Sequence, residues 1–135
     1  MILKHTFPIR VYYEDTDAGG IMYHASHVRF LERGRTEFLR DLGIHHSTLM
    51  NRDTDSAVLF IVRRMEIDYL KPARLDDLVT VSTELLELGA ASLKLGQALS
   101  RGDDVICKGL LTIATIGPDG RPKRIPSDLK AKFAA

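Results

Sequence analysis

The stretch from Tyr12 to Arg40 reads YYEDTDAGGIMYHASHVRFLERGRTEFLR. It holds Asp15 and Asp17 two apart, then Gly19-Gly20, then His24 and His27 three apart, and then a long amphipathic segment. Acid, tight turn and helix start are a layout that can do chemistry. A carboxylate near the positive end of a helix can attack a carbonyl, or activate water against it, while the carbonyl oxygen faces the helix amides. Asp17 has a plainer reading as a turn carboxylate that binds nearby amides. In an extended segment Asp15 shares a side with Asp17, and it is read as a structural acceptor that fixes the loop. His24 and His27 could join these acids around a metal, but an H-x-x-H spacing alone is a weak match to the usual ligand sets. Gly19-Gly20 lets a substrate lie against bare backbone before the helix. It lacks both the G-x-G-x-x-G pattern and a Walker Lys-Ser/Thr, so nucleotide phosphate binding at this loop is rejected.

Periodicity indicates which elements must position these groups. His5 to Tyr13 alternates as a strand, with Phe7, Ile9, Val11 and Tyr13 on one face. The helix is expected from about Ser26, whose hydroxyl would cap it. Val28, Leu31, Phe38 and Leu42 repeat at helical spacing, with Phe30 and Leu39 widening the stripe. Glu32/Arg35 and Glu37/Arg40 fall as i,i+3 pairs. Gly34 costs about 1 kcal/mol in mid-helix, which is explained if the backbone lies against a flat sheet. Gly43 suits the position just past the helix end. His45 to Ser56 is polar, with a helical turn near Ser47 to Asn51; His45 and His46 read as solvated loop residues.

From Ala57 the period becomes two. Leu59, Ile61, Met65, Ile67 and Tyr69 share one face and Arg64, Glu66 and Asp68 the other. Strands follow over Asp77 to Glu87, Ala91 to Arg101 and Val105 to Ile116, and Pro126-Ser127-Asp128 starts a short terminal helix. Short turns favour antiparallel neighbours. The economical architecture is α+β, one curved antiparallel sheet wrapped around one helix. One helix leaves part of such a sheet uncovered, so pairing with a second copy is expected.

Composition bounds the function classes. At 135 residues the chain reads as a single domain, residues 1–135, long enough to bury roughly two-thirds of its unfolded surface. A net charge of +1 gives no overall field for nucleic acid or a membrane surface. The single cysteine, Cys107, excludes a disulfide framework and reads as a buried small side chain in a reduced compartment. No run approaches the roughly 20 apolar residues of a membrane helix, and the N-terminus lacks a signal-peptide core. A cytoplasmic protein is expected.

A strand, then Y-x-D-T-D-x-x-G-I-x-Y-H from Tyr13 to His24, then L-E-R-x-R-T-E from Leu31 to Glu37, closely resembles the hotdog-fold acyl-CoA thioesterases. The broad group is the 4-hydroxybenzoyl-CoA thioesterase family. The nearer branch is the short-chain acyl-CoA thioesterases associated with the tol-pal envelope system. The resemblance implies a five-stranded antiparallel sheet around a central helix, active sites at the interface of a homodimer, and often a homotetramer. It implies hydrolysis of an acyl-CoA thioester, with neither metal nor organic cofactor. The family's catalytic carboxylate falls on Asp17. Its oxyanion-binding amide falls near His24, and Tyr23 and His24 match the branch's Y-H pair. Ser26-His27-Val28 stands where the branch has Asn-Tyr-Leu, so His27 becomes a candidate wall of the substrate pocket, with Gly19 and Gly20 on the approach.

Coenzyme A carries phosphates and requires a local basic site. Arg63 and Arg64 are the first candidates. On a regularly alternating strand they point to opposite faces, and either can instead pair with Glu66 or Asp68. Lys94, Lys108, Arg121, Lys123 and Arg124 are further candidates. Asp17 can work as nucleophile, through an anhydride, or as general base on water. Two rival functions remain at this level: a hotdog enoyl-thioester hydratase, and a non-catalytic module that binds acyl thioesters or an acyl-carrier protein. The carrier protein is also an alternative acyl donor.

Overall fold

The computed structural model describes residues 3–51 and 56–134. The elements run β1 (Lys4–Arg10), α1 (His24–Asp41), α2 (His46–Leu49), β2 (Leu59–Tyr69), β3 (Leu78–Leu88), β4 (Ser92–Arg101), β5 (Asp104–Ile116) and α3 (Ser127–Lys132). The strands form a 5-stranded sheet in the order β1-β3-β4-β5-β2, antiparallel at every pairing. This is the α+β architecture that the residue pattern implies, in the hotdog form that the resemblance implies. Part of the polar segment expected between His45 and Ser56, residues 52–55, lies outside the described residues.

The long helix α1 lies across the sheet and divides the core in two. Its first half buries Phe30 and Leu31 among Val11, Val79, Val81, Leu99 and Cys107. Its second half buries Phe38 and Leu39 among Leu93, Leu95, Leu111 and Ile113, closed off by Leu129 and Phe133 at the α3 end. Fully burying one such side chain is worth about 1.5–3 kcal/mol, so this stripe holds the helix on the sheet. Gly34 is where the two touch. A Cβ there would stand 2.2 Å from Val81 Cγ1, far inside contact distance. The helix ends as expected: Gly43 N–H donates to Arg40 O at 2.9 Å and Ile44 N–H to Leu39 O at 2.8 Å, the paired bonds of a Schellman cap.

Four expectations are corrected. Regular pairing of β1 stops at Arg10; Tyr13 enters a 3₁₀ turn over Tyr13–Asp15 and is 83% exposed. The helix starts at His24 with Tyr23 as its cap residue, so Ser26 is not the cap but a buried residue of the first turn. Its amide is spent on Tyr23 O at 2.8 Å.

The strand β2 does not lie beside β3. It pairs with β5 and forms the sheet edge. The segment from β2 to β3 crosses the end of the β4–β5 pair: Leu70 N–H donates to Ile106 O at 2.8 Å and Arg101 Nη1 to Pro72 O at 3.3 Å. Finally, β2 carries a bulge between Val62 and Arg64. An extra residue reverses the alternation, so Val62 lies opposite Ile113 and Met65 opposite Leu111, both partners buried. Ile61 therefore leaves the face of Met65 and is 41% exposed.

Candidate active site

Asp17 opens a tight turn that hands the chain to α1. Its N–H donates to Ile21 O at 2.9 Å, and its carbonyl accepts from Gly20 N–H at 3.0 Å. Gly20 sits at φ +82°, a conformation that side chains resist. The Asp17 carboxylate is exposed. Its Oδ1 accepts from Gly19 N–H at 2.8 Å; among the described residues nothing engages the other oxygen. A Cβ at Gly19 would stand 3.1 Å from that Oδ1, so the bare glycine lets its amide approach the carboxylate.

Asp15 does not share a side with Asp17, because the 3₁₀ turn intervenes. It is buried, with Oδ2 accepting from Tyr12 N–H at 2.8 Å and its carbonyl from Tyr23 N–H at 2.8 Å. That is the structural role expected of it. Bridges from Thr16 to Met22 and from Ile21 to Arg74 tie the turn to itself and to the β2–β3 connection.

The first amides of a helix have no intrahelical acceptor. In α1 the Ser26 amide is satisfied by Tyr23 O, whereas no backbone acceptor meets the N–H of His24 or Ala25 among the described residues. Asp17, Ile21, His24, His27 and Tyr69 to Pro72 line one cleft of about 550 Å³. The two histidines differ. His24 is exposed, its ring centroid 4.5 Å from that of Tyr23. His27 is buried, and its Nδ1 donates to Tyr23 O at 3.1 Å and His24 O at 3.2 Å. Both partners only accept, so Nδ1 carries the ring proton. Burial pushes the His27 imidazole below its ordinary value, and those two carbonyls partly offset the effect. The described residues contain no group of three or more His, Cys, Asp or Glu placed to hold a metal.

Tyr69, at the end of β2, was not singled out in the sequence. Its hydroxyl donates to His24 O at 2.7 Å, and its ring meets His27 edge-on at 4.8 Å. The only local sign was a polar-tipped aromatic closing an apolar alternation.

Arg63 and Arg64 do not diverge. The bulge brings both into one groove of about 340 Å³ with Glu66, Lys94, Leu110 and Thr112. Arg64 Nη2 donates to Glu66 Oε1 at 2.6 Å; among the described residues Arg63 has no ion-pair partner. Cys107 is fully buried, and burial pushes its thiol up to about 11, which makes it a poor nucleophile at neutral pH.

A second cavity, of about 490 Å³, opens between α1, α2 and the start of β2. Leu39, Met50, Phe60, Leu93, Leu95 and Ile113 give it an apolar wall, and Glu32, Arg35 and His46 give it a charged rim. Glu32 and Arg35 make no ion pair, contrary to expectation, and Arg35 Nη1 is buried without a partner. Burial holds the Arg35 guanidinium below its usual range despite Glu32 nearby.

Known proteins agree with this architecture. Residues 11–133 match the family model described as Thioesterase-like superfamily. The chain is 40% identical over 129 residues to the acyl-CoA thioesterase YbgC of Haemophilus influenzae, covering 95% of this chain and 93% of that one. It is 38% identical over 129 residues to the acyl-CoA thioester hydrolase YbgC of Escherichia coli O6:H1, covering 94% and 93%. The crystal structure of a probable thioesterase from Bartonella henselae superposes with a TM-score of 0.87 at 38% identity, over 92% of this chain and 100% of that one. With its match spanning nearly the whole chain, from the end of β1 through α3, this protein belongs to the thioesterase-like superfamily.

Proposed function

We propose that this protein is an acyl-CoA thioesterase in which Asp17 is the working carboxylate. The observation that carries the reading is the unspent Asp17 oxygen in the same cleft as His24, whose amide also has no backbone acceptor. A carboxylate and a helix-end donor flanking one space are what thioester hydrolysis needs. The relatives named as acyl-CoA thioesterases, matched along most of their length, support the same class.

In one form Asp17 attacks the thioester carbon. A C–O bond forms, the C–S bond breaks with its electron pair leaving on the coenzyme A thiolate, and water then cleaves the mixed anhydride. In the other form Asp17 takes a proton from the attacking water. Either way the thiolate is a good leaving group, so no strong general acid is required. The His24 amide receives the developing oxyanion. Tyr23 and His27 wall the acyl entrance, Gly19 and Gly20 leave room along the backbone, and Arg63 with Arg64 takes coenzyme A phosphate.

The active unit is a homodimer, which can associate further into a homotetramer. The edge strand β2 leaves one side unpaired, an invitation to a second copy. The Asp17 cleft touches one end of β2, at Tyr69, and the Arg35 pocket the other, at Phe60 to Val62. Antiparallel pairing of two β2 strands would set the Arg35 pocket of one protomer beside the Asp17 cleft of its partner. The apolar pocket then takes the acyl chain. We place the protein in the cytoplasm, where a lone buried thiol stays reduced.

The test is thiol release from short, long and aromatic acyl-CoA substrates, with Asp17→Asn as control. Hydrolysis by the native chain and its loss in the variant are expected. Near-native turnover by Asp17→Asn would remove Asp17 from the chemistry. Acyl-CoA binding without thiol release at every chain length would favour a non-catalytic module.

A further inference from the structure

The carbonyl of His24 is held by two side chains, one from outside its own helix and one from its first turn. Tyr69, 45 residues later, donates its hydroxyl at 2.7 Å, and His27 Nδ1 approaches at 3.2 Å. The same peptide unit ends in the N–H of Ala25. The preceding unit is clamped in the same way: Tyr23 O accepts from Ser26 N–H at 2.8 Å and from His27 Nδ1 at 3.1 Å, and that unit ends in the N–H of His24. A peptide unit is a rigid plane with its C=O and N–H pointing opposite ways. Holding the carbonyl therefore aims the amide. Among the described residues neither of these amides has a backbone acceptor, and helix amides point out of the N-terminal end, the end on which Asp17 lies.

Tyr69 suits such a clamp. It ends an edge strand anchored to β5 opposite Cys107, so its ring stands on the rigid sheet rather than on the loop. Burial, with Cys107 nearby, holds its phenol above the ordinary value, so the hydroxyl stays a donor throughout the neutral range. It lines the same cleft as Asp17.

We propose that Tyr69 is a positioning residue for thioester hydrolysis, fixing the His24–Ala25 peptide so that the Ala25 and His24 amides together receive the thioester oxygen. This rests on the thioesterase reading above and adds Ala25 as a second oxyanion donor. Loss of the clamp loosens a donor that matters most when the oxygen becomes charged.

The experiment compares native protein with Tyr69→Phe, which keeps the ring against His27 and deletes the hydroxyl. Complete loss of one oxyanion donor costs about 10²–10³ in kcat; a loosened one is expected to cost about tenfold, with KM within about twofold. A trifluoromethyl ketone analogue of the acyl-CoA, which forms an oxyanion-like adduct, should bind about tenfold more weakly to Tyr69→Phe, while free coenzyme A binds as before. An unchanged kcat would overturn the proposal. So would equal weakening of the analogue and of coenzyme A, the mark of general structural damage. If the variant does not fold, amide NMR of the native protein decides. The Ala25 N–H resonance must shift on adding the analogue and not on adding coenzyme A, and a silent Ala25 overturns the assignment. Native protein that releases no thiol from any acyl-CoA would end the thioesterase reading and this inference with it. Native activity beside an equally active Tyr69→Phe would end this inference alone.

Discussion

The Asp17 cleft and the Arg35 pocket touch opposite ends of the same edge strand, about 25 Å apart at about 3.3 Å per residue, yet they are built in different ways. The cleft draws Asp17, His24 and His27 from one short run of chain that bonds largely to near neighbours, Asp17 to Gly19 and His27 to Tyr23 and His24, with Tyr69 and Lys71 added from the end of β2 and just beyond it. The pocket draws its wall from α1, α2, β2, β4 and β5. Its one strong cation keeps a buried nitrogen without a partner. A reacting carboxylate must meet water and substrate, so a self-contained exposed loop serves it. An apolar cavity exists only where distant elements converge, and an unpaired polar atom left there costs about 1–3 kcal/mol until something covers it. On the proposed function the two cavities divide the work, reaction at one and acyl-group choice at the other.

The largest effect should come from the cleft. Asp17→Asn is expected to lower turnover about 100-fold or more, the scale of a lost acid–base or nucleophilic group, without changing the thermal midpoint, because the side chain is exposed. A midpoint that falls as far as the activity would make Asp17 structural and merge the two regions. Gly34→Ala strikes the frame that both cavities share. With its Cβ 2.2 Å from Val81 Cγ1, the variant should lose about 2–3 kcal/mol in urea denaturation, with partial recovery in Gly34→Ala/Val81→Ala. An unchanged midpoint would mean that the helix does not rest on β3.

Arg35→Met separates the regions. Turnover of a short acyl-CoA should persist, while the ratio of kcat/KM for long over short apolar acyl groups rises about tenfold, the scale on which an apolar pocket discriminates. Chain-length profiles that superimpose would take the pocket out of substrate choice. Arg63→Ala should raise KM for acyl-CoA about threefold at low salt and less at high salt, as expected of an exposed contact. Arg64→Ala should do less, since Glu66 already holds that guanidinium.

The smallest effect is a pH dependence. Burial holds His27 below its ordinary 6.5 in the folded chain, and His46 is lowered for the same first reason. The unfolded chain then binds more protons as pH falls below about 6.5, so stability is full above that value and declines beneath it. The midpoint should drop between about pH 7.5 and 5.5, and His27→Gln should flatten the drop. A midpoint that rises on acidification would reverse the sign.

Much of the cleft was legible in the residue pattern because its signals are short in range. The Gly-Gly turn, the helix stripe, Gly34 and the Gly43 cap each act over one turn or one strand period, and each fell where expected, whereas the 3₁₀ turn set Asp15 and Asp17 apart. The helix start was misplaced by two residues. Ser26 is a good cap by type, but the bridge from Thr16 to Met22 and the Tyr23–Asp15 bond fix the entry earlier. Ile61 and the two arginines were misassigned because a bulge leaves no mark in the hydrophobic alternation until the partner strand decides which residue is extra.

The sequence by itself determined the acid-turn-helix unit, the apolar stripe of α1 and the run of alternating strands, since these follow from local backbone preference and residue type. Only the tertiary structure decided that β2 is an edge paired with β5, that Arg63 and Arg64 share a groove, that Arg35 overhangs an apolar pocket, and that Tyr69 reaches His24. The reason is physical. Which distant strands pair is chosen by the apolar surface that all elements bury together, and no single segment carries that sum.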